Sequence, residues 1–206
     1  MYNNIDTKCL TGEVRLSYAN LVTPRAAVGA DGKPKGDPKY SVTILIPKTD
    51  KATLDDLVAS FNAAAQKGLN TKFGGYMPEL KPLIHDGDGK RNDGKPYGPE
   101  CKGMWVLTAS SKMKPDVVDI SNINVSLAPN DIYSGMYARV TVNFYPFNTG
   151  NNKGVGCGLG NVMKTRDGEP LGGGASAASD FAGIGQSAPS ASQMTGAINP
   201  ITGQPM

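Results

Sequence analysis

The chain has few of the residues on which catalytic and metal sites are usually built. Its 206 residues include one histidine, His85, and three cysteines, Cys9, Cys101 and Cys157. The cysteines are odd in number, far apart and without a CxxC spacing, which argues against a zinc site and favours a reducing, intracellular setting. None of them lies beside the histidine in the sequence, so no nucleophile–base pair is visible. We predict a protein that is not an enzyme and that uses no cofactor and no metal ion.

Long apolar runs are missing as well. The amino terminus, MYNNIDTKCL, is polar and lacks the apolar stretch of a signal peptide. No run approaches the ~18 apolar residues of a membrane helix. We therefore expect a soluble, cytoplasmic protein with no membrane partner. The net charge is only +3, which by itself does not indicate a nucleic-acid partner.

The segment that begins at His85 is the one place that hints at metal chemistry. It reads HDGDG, but Lys90 occupies the third ligand position of a calcium loop and no glutamate follows at the required distance. A solvated turn is the simpler interpretation. A metal-dependent nuclease built on Asp86, Asp88 and Asp93 is the weaker alternative.

Glycine and proline, by contrast, are abundant, with 26 and 15 residues, and they favour many short strands and loops. A helical repeat of apolar residues predicts one helix, capped by Asp50 and ended by Gly68. The segments 26–39 and 70–102 are predicted to be loops. Two-residue alternation predicts strands at 10–21, 39–47, 104–112 and 116–119 and a long hairpin over 135–161.

The composition changes abruptly after Leu171. The residues that follow are mostly small residues and proline, with one acidic residue, Asp180, and no lysine or arginine. Such a segment cannot bury enough apolar surface to fold. We predict a folded domain over 1–171 and a disordered tail over 172–206.

The hairpin carries the strongest functional signal. The polar face of its first strand includes Tyr137, Arg139, Tyr145 and Phe147. Rings and cations on an exposed sheet suit single-stranded nucleic acid, because bases stack on rings and phosphates pair with cations. The simpler alternative is that this face packs against another element. The opposite face of the strand is apolar and consists of Met136, Ala138, Val140, Val142 and Phe144.

The second strand of the hairpin has glycine at every other position from 154 to 160. The GxGxxG spacing of a dinucleotide loop fails, because Leu159 and Asn161 stand where a third glycine is needed. Alternation is the period of a strand, so we predict a strand with one bare face. That face either lets a barrel strand bend or forms a shallow trough in which a base or sugar lies.

Seven segments, in order, resemble a phage family of single-stranded-DNA-binding proteins with an OB-fold, formerly known as a domain of unknown function. The resemblance spans roughly residues 8–182 and is most specific in the hairpin. The segments are TGEVRLSYANL, DGKPKGDPKYSVTILIPK, LIHDGDG, SSKMKPDVVD, YSGMYARVTVNFYPFN, NKGVGCGLGNVMKTRDGEPLGG and SDF.

The resemblance implies a mostly β fold with one inserted helix: an OB-type, five-stranded antiparallel Greek-key barrel with long loops. It also implies protection of single-stranded DNA during phage replication, recombination or repair. An acidic tail that recruits partners is common in this functional class, but the tip of this tail, INPITGQPM, is neutral.

We therefore predict sequence-tolerant binding of single-stranded DNA, with bases stacked on rings and phosphates paired with lysine and arginine. Trp105 is the weakest stacking candidate, because Leu107 and Ala109 share its face. The predicted stacking residues are Tyr137, Tyr145, Phe147, Tyr18 and Trp105. The predicted phosphate-binding residues are Arg15, Lys39, Lys112, Lys114, Arg139, Lys153 and Lys164.

The alternative function is that of a phage structural or assembly protein whose aromatic face contacts protein. Lysine within the surface argues against it, because protein interfaces are depleted of lysine at their centre. The sequence leaves open whether duplex DNA also binds, whether the chain forms a homodimer through strand edges, and whether the tail contacts phage or host replication proteins.

Overall fold

Five long strands form the framework of the molecule. The computed structural model describes residues 6–29, 32–91, 93–150 and 152–172, and the predicted tail from residue 173 onward lies outside the described residues. In chain order the elements are β1 (Lys8–Leu10), β2 (Val14–Val28), β3 (Pro34–Pro47), α1 (Lys51–Thr71), β4 (Ile84–Asp86), β5 (Met104–Ser111), β6 (Val117–Asp119), β7 (Asn122–Ser126), β8 (Tyr137–Thr149) and β9 (Asn152–Arg166), with single 3-10 turns at Pro99–Cys101 and Pro129–Asp131.

The five strands close into a barrel because β8 pairs with both β2 and β9. Around the ring the order is β8, β2, β3, β5 and β9. The pairings of β2 with β3, β3 with β5, β2 with β8 and β8 with β9 are antiparallel, and that of β5 with β9 is parallel. This closed five-stranded arrangement is an OB-fold barrel, so the predicted fold is confirmed.

The interior of the barrel comes from the apolar faces that the sequence predicted. The alternating positions from Met136 to Phe144 on and just before β8 are all buried, and so are Val42, Ile44 and Ile46 on β3. Helix α1 packs on β8, where the Phe61 and Phe144 rings meet edge to face at a centroid distance of 5.9 Å. In the described part of the chain no helix is long and apolar enough to cross a membrane.

The start of α1 was predicted correctly and its end was not. The Asp50 side chain accepts a hydrogen bond from the Thr53 amide at 3.0 Å, which caps the helix. Gly68, however, is a buried residue inside the helix, which continues to Thr71. A Cβ at Gly68 would clash with the Phe73 ring and lie 2.7 Å from Cβ of Pro146. Close packing, and not a left-handed cap, therefore requires glycine at this position.

The predicted loop over 26–39 is mostly a two-stranded arm. Strands β2 and β3 continue to pair through Ala27 with Lys35 and Val28 with Pro34. Glycine, proline and lysine made this segment look like a loop, but the exposed arm needs no apolar face. The short strands β1, β4 and β7 were also missed. The predicted strands at 104–112 and 116–119 correspond to β5 and β6.

Candidate nucleic-acid interface

A row of small and polar residues crosses the outside of the barrel. The strand registers align Asn20 on β2 with Ser41, Ser41 with Ser110 on β5, Ser110 with Gly158 on β9, and Gly158 with Asn143 on β8. All five residues are partly or fully exposed. We call them the outer row. Their small side chains form a shallow floor on which an extended chain can lie.

Two adjoining cavities open beside the β2 end of this row. The first has a volume of about 610 Å³, and its floor includes Ser17, Thr43 and Thr108 of the barrel. The second has a volume of about 600 Å³ and is bordered by Arg15 and by the segment 169–172. Both are of the size that small-molecule and nucleotide sites usually have.

Tyr18 borders both cavities and is held in an unusual conformation. Its side chain is 67% exposed, and its φ angle is +47°, in the left-handed region that aromatic residues rarely adopt. The positive φ breaks the alternation of β2, so Tyr18 does not share the interior face of Val14 and Leu16, and Ser17 is buried instead. Strained residues of this kind cluster at functional sites.

Tyr145 and Phe147 lie near the β8 end of the outer row, and their rings cover the glycines of β9. A Cβ at Gly156 would lie 2.7 Å from Cζ of Tyr145, and a Cβ at Gly154 would lie 3.1 Å from Cζ of Phe147. The rings of Tyr145 and Phe147 therefore cover the glycine face, which does not form an open trough. Tyr145 remains 43% exposed, and Phe147 is partly buried.

Tyr137 and Trp105, the other two predicted stacking residues, are engaged within the protein. The guanidinium of Arg166 lies 3.4 Å from the centroid of the Tyr137 ring, and that of Arg15 lies 5.9 Å from it. Trp105 is partly buried and packs against the barrel core. The structure does not bring either ring together with Tyr145.

The predicted phosphate-binding residues differ in how much of their charge is accessible. Lys39, Lys112 and Lys114 are exposed. Lys112 pairs with Asp37 at 2.6 Å, and that hydrogen bond raises the pKa of the lysine, but both side chains are 68% exposed and the pair is readily exchanged with solvent ions.

Three other cations of the predicted set donate to backbone carbonyls. Arg15 donates to the carbonyl of Glu169 at 2.7 Å, Arg139 to that of Thr11 at 3.0 Å, and Lys153 to that of Phe73 at 3.0 Å. A carbonyl neutralises no charge, so each cation retains its attraction for phosphate. Arg15 also lines the second cavity.

Lys164 is the exception, because it belongs to the interior. It is 7% exposed, and its ammonium lies 2.7 Å from the carboxylate of Asp167 and 5.3 Å from the centroid of the Tyr133 ring. Burial is the largest single influence and lowers the pKa of Lys164, but the hydrogen bond and the charge of Asp167, with smaller contributions from Tyr133 and Asp131, together outweigh it and raise that pKa. The sequence analysis predicted that Lys164 binds phosphate. Because the structure shows this lysine buried and paired with Asp167, we do not include it in the proposed interface.

Sequence reasoning missed several residues that line the first cavity. His85, Arg91 and Tyr97 come from the segment 70–102, which has little regular structure and folds against the barrel face. The length of that segment was the available signal, because long loops within compact domains often carry function. The exposed β2–β3 arm carries two further accessible cations, Arg25 and Lys35, of which Lys35 lies in the segment predicted to be a loop.

The two aspartates of the HDGDG segment pair with a lysine from elsewhere in the chain, Lys48. The ammonium of Lys48 lies 2.6 Å from Asp86 and 2.7 Å from Asp88. These hydrogen bonds lower the pKa of both carboxyl groups and raise that of Lys48. Within the described ranges no group of three or more His, Cys, Asp or Glu residues is arranged to hold a metal ion. The ion pairs of Lys48 with Asp86 and Asp88 therefore hold the segment 85–89 at the end of β3.

Comparison with known proteins links this chain to phage proteins. A family model described as "Enterobacter phage Enc34, ssDNA-binding protein" matches residues 7–192. Protein p50 of Acyrthosiphon pisum secondary endosymbiont phage 1 is 30% identical over 185 residues, which are 84% of this chain and 92% of that protein.

Solved structures give a consistent result. The single-stranded DNA-binding protein of bacteriophage Enc34, in complex with single-stranded DNA, superposes with a TM-score of 0.64 at 29% identity, covering 81% of this chain and 90% of that one. The single-stranded DNA-binding protein of bacteriophage T7 gives a TM-score of 0.51 at 15% identity, covering 85% and 92% of the two chains. At that identity the likeness to the T7 protein is one of fold alone.

Proposed function

The chain belongs to the phage family described as the Enterobacter phage Enc34 ssDNA-binding protein, and from this membership we propose that it binds single-stranded DNA along the outer row of its barrel. The observation that carries the proposal is the arrangement of that surface. A shallow floor of small residues runs between the exposed ring of Tyr18, whose backbone is strained, and the exposed ring of Tyr145. OB-fold proteins bind oligonucleotides on this side of the barrel, across the strands equivalent to β3 and β5.

In the proposed complex, bases stack on rings and phosphates face cations. Tyr18 and Tyr145 supply the two open rings, with Phe147 beside Tyr145. Each stacked base contributes ~1–3 kcal/mol with little dependence on its identity. The exposed or partly exposed cations that we assign to this interface are Arg15, Arg25, Lys35, Lys39, Arg91, Lys112, Lys114, Arg139 and Lys153.

We further propose that the protein acts without catalysis. It covers single-stranded DNA in the host cytoplasm during phage replication, recombination or repair. Membership of the family supports this role. Binding of duplex DNA, dimerisation through strand edges and recruitment of replication proteins by the tail stay predictions from the sequence.

The direct test is a fluorescence-anisotropy titration with a labelled oligo-dT at two salt concentrations. We expect binding at low salt and a logarithmic slope against salt of roughly −0.7 for each phosphate neutralised. A failure to bind oligo-dT at low salt would contradict the proposal.

Variants then test the surface. We expect Tyr18→Ala, and Tyr145→Ala combined with Phe147→Ala, each to weaken the affinity for oligo-dT by about tenfold or more, since each removes stacking contacts. Tyr76→Ala is the matched control, because the Tyr76 side chain is 84% exposed yet lines neither cavity. If all the variants bind as the parent does, DNA lies on another surface even though the function stands.

A further inference from the structure

The first cavity contains carboxylates as well as a cation, which is unexpected on a surface that binds DNA. Arg91 lines it together with Asp93 and Glu100. A carboxylate repels the phosphate backbone. The part of the DNA that lies against these acids is therefore a base and not a phosphate.

Of the two carboxylates, Asp93 already has partners. It accepts a hydrogen bond from the Lys95 amide at 3.1 Å, and Nε of Arg91 lies 3.9 Å from it. Its capacity to bind a ligand is correspondingly reduced.

Glu100 has no comparable partner. In the part of the chain that the structure describes, no lysine or arginine lies within ion-pair distance of it. Its one recorded side-chain partner is the thiol of Cys101, a weak donor, at 3.8 Å. The carboxylate retains most of its accepting capacity.

Glu100 borders the first cavity, where its carboxylate can accept a hydrogen bond from a ligand. Its carboxylate lies directly over Gly98, which lines the first cavity, and a Cβ at Gly98 would occupy the same space. Glu100 and Tyr18 both border the first and the second cavity. One aromatic ring and one free acceptor thus adjoin the same opening.

From this geometry, and resting on the proposed function, we propose that the first cavity binds one base that is no longer stacked on its neighbours in the DNA. The base stacks on Tyr18, and Glu100 accepts a hydrogen bond from its exocyclic amino group. An ionised carboxylate is acceptor-only. Cytosine offers an amino group at the position where thymine has a carbonyl oxygen, and the single N–H of thymine lies between two carbonyl oxygens that repel the acid. The protein therefore prefers amino-bearing bases to thymine at this one position while it tolerates any sequence elsewhere.

The test compares two oligonucleotides of equal length, one of thymidine and one of 5-methyl-deoxycytidine. The two bases share the methyl group and differ only on the edge that would face Glu100. In competition binding at mildly alkaline pH, we expect the full chain to bind the 5-methylcytosine oligonucleotide roughly three- to tenfold more tightly. This is the range of an ordinary net hydrogen bond, because partial exposure to water weakens a charge-assisted one.

Variants assign the preference to the carboxylate. Glu100→Gln is expected to bring the affinity ratio close to one, because a carboxamide donates to the thymine oxygen as readily as it accepts from the amino group. Gly98→Ala is expected to do the same by displacing the carboxylate without removing its charge. Glu79→Gln is the matched control, since it makes the same charge change at an exposed residue that lines neither cavity, and it is expected to keep the ratio of the parent.

The outcomes separate this inference from the proposed function. Equal binding of the two oligonucleotides by the parent, or a ratio that survives Glu100→Gln, overturns the base pocket and leaves single-stranded DNA binding intact. A ratio lost equally in Glu79→Gln also overturns it, because the effect would then be one of net charge. Binding of neither oligonucleotide at low salt contradicts both proposals.

Discussion

Tyr18 combines a strained backbone with a ring that gains little from burial. A bulky residue at a φ of +47° carries a conformational cost on the order of 1–3 kcal/mol. The side chain is 67% exposed, so packing does not offset that cost. Strained residues of this kind cluster at functional sites, which is the reason we propose Tyr18 for the centre of the interface.

Replacement of Tyr18 by glycine is predicted to weaken the binding of DNA without lowering the stability of the fold. Glycine adopts a positive φ without strain, and that relief of about 1–3 kcal/mol exceeds the roughly 0.5–1 kcal/mol that glycine costs in chain entropy. We expect Tyr18→Gly to unfold at an equal or higher denaturant concentration and to bind oligo-dT about ten- to a hundredfold more weakly. A destabilised protein with unchanged affinity would show that the ring serves packing instead.

The three buried thiols make a second prediction at this scale. Burial raises the pKa of Cys9 and Cys101 to about 11 and that of Cys157 to about 12. Because the folded pKa lies above the ordinary value near 9, the neutral thiols support the fold fully below that value, and this support is lost as the pH rises from there towards 11 to 12.

We therefore expect the free energy of unfolding to fall across that alkaline range, and the native protein to resist thiol reagents at neutral pH. Denaturant titrations at increasing pH measure the first effect. Cys157→Ala should flatten the profile. Rapid labelling of the native protein at neutral pH would contradict the burial of these groups.

At the scale of elements, strands β8 and β9 act as one aromatic platform. The rings of Tyr145 and Phe147 rest on glycines of the neighbouring strand, a cross-strand pairing in which the ring shields backbone that glycine leaves bare. In the proposed interface, the strand of alternating glycines therefore positions rings and makes no phosphate loop.

Gly156→Ala tests this pairing without touching a ring. The new Cβ would lie 2.7 Å from Cζ of Tyr145, so the ring must swing away. We expect the affinity for oligo-dT to drop about as far as in Tyr145→Ala, with a small change in stability because a side chain moves and no backbone does. The double variant should lose no more than either single one, since both remove the same contact. Fully additive losses in a double-mutant cycle would show that the ring and the glycine act separately.

The same elements show how far the sequence predicts the structure. Alternation in β8 and the Asp50 cap are local signals, and both predictions were correct. The packing at Gly68 depends on Phe73 and on Pro146 of a distant strand, so a helix-end signal was assigned where a close contact exists. The burial of Lys164 follows from its contacts with Asp131 and Asp167, and a strand pattern alone does not contain that information.

At the scale of the whole molecule, strand register creates the proposed interface. The outer row brings Asn20, Ser41, Ser110, Gly158 and Asn143 together, although they are scattered over most of the folded chain. The parallel pairing of β5 with β9 joins the two halves of the row at Ser110 and Gly158. The family resemblance predicted the barrel, but no feature of a single segment predicted which side chains would line up across it.

The central claim is that single-stranded DNA follows the outer row between Tyr18 and Tyr145. Ultraviolet cross-linking of the full chain to a thymidine oligonucleotide, with the adducts mapped by mass spectrometry, tests it most directly. We expect adducts at Tyr18 and Tyr145 and none at Tyr76, which is 84% exposed and would be the main site of cross-linking if exposure alone decided. Adducts concentrated at Tyr76 or on the β6–β7 hairpin, with Tyr18 and Tyr145 unmodified, would contradict it.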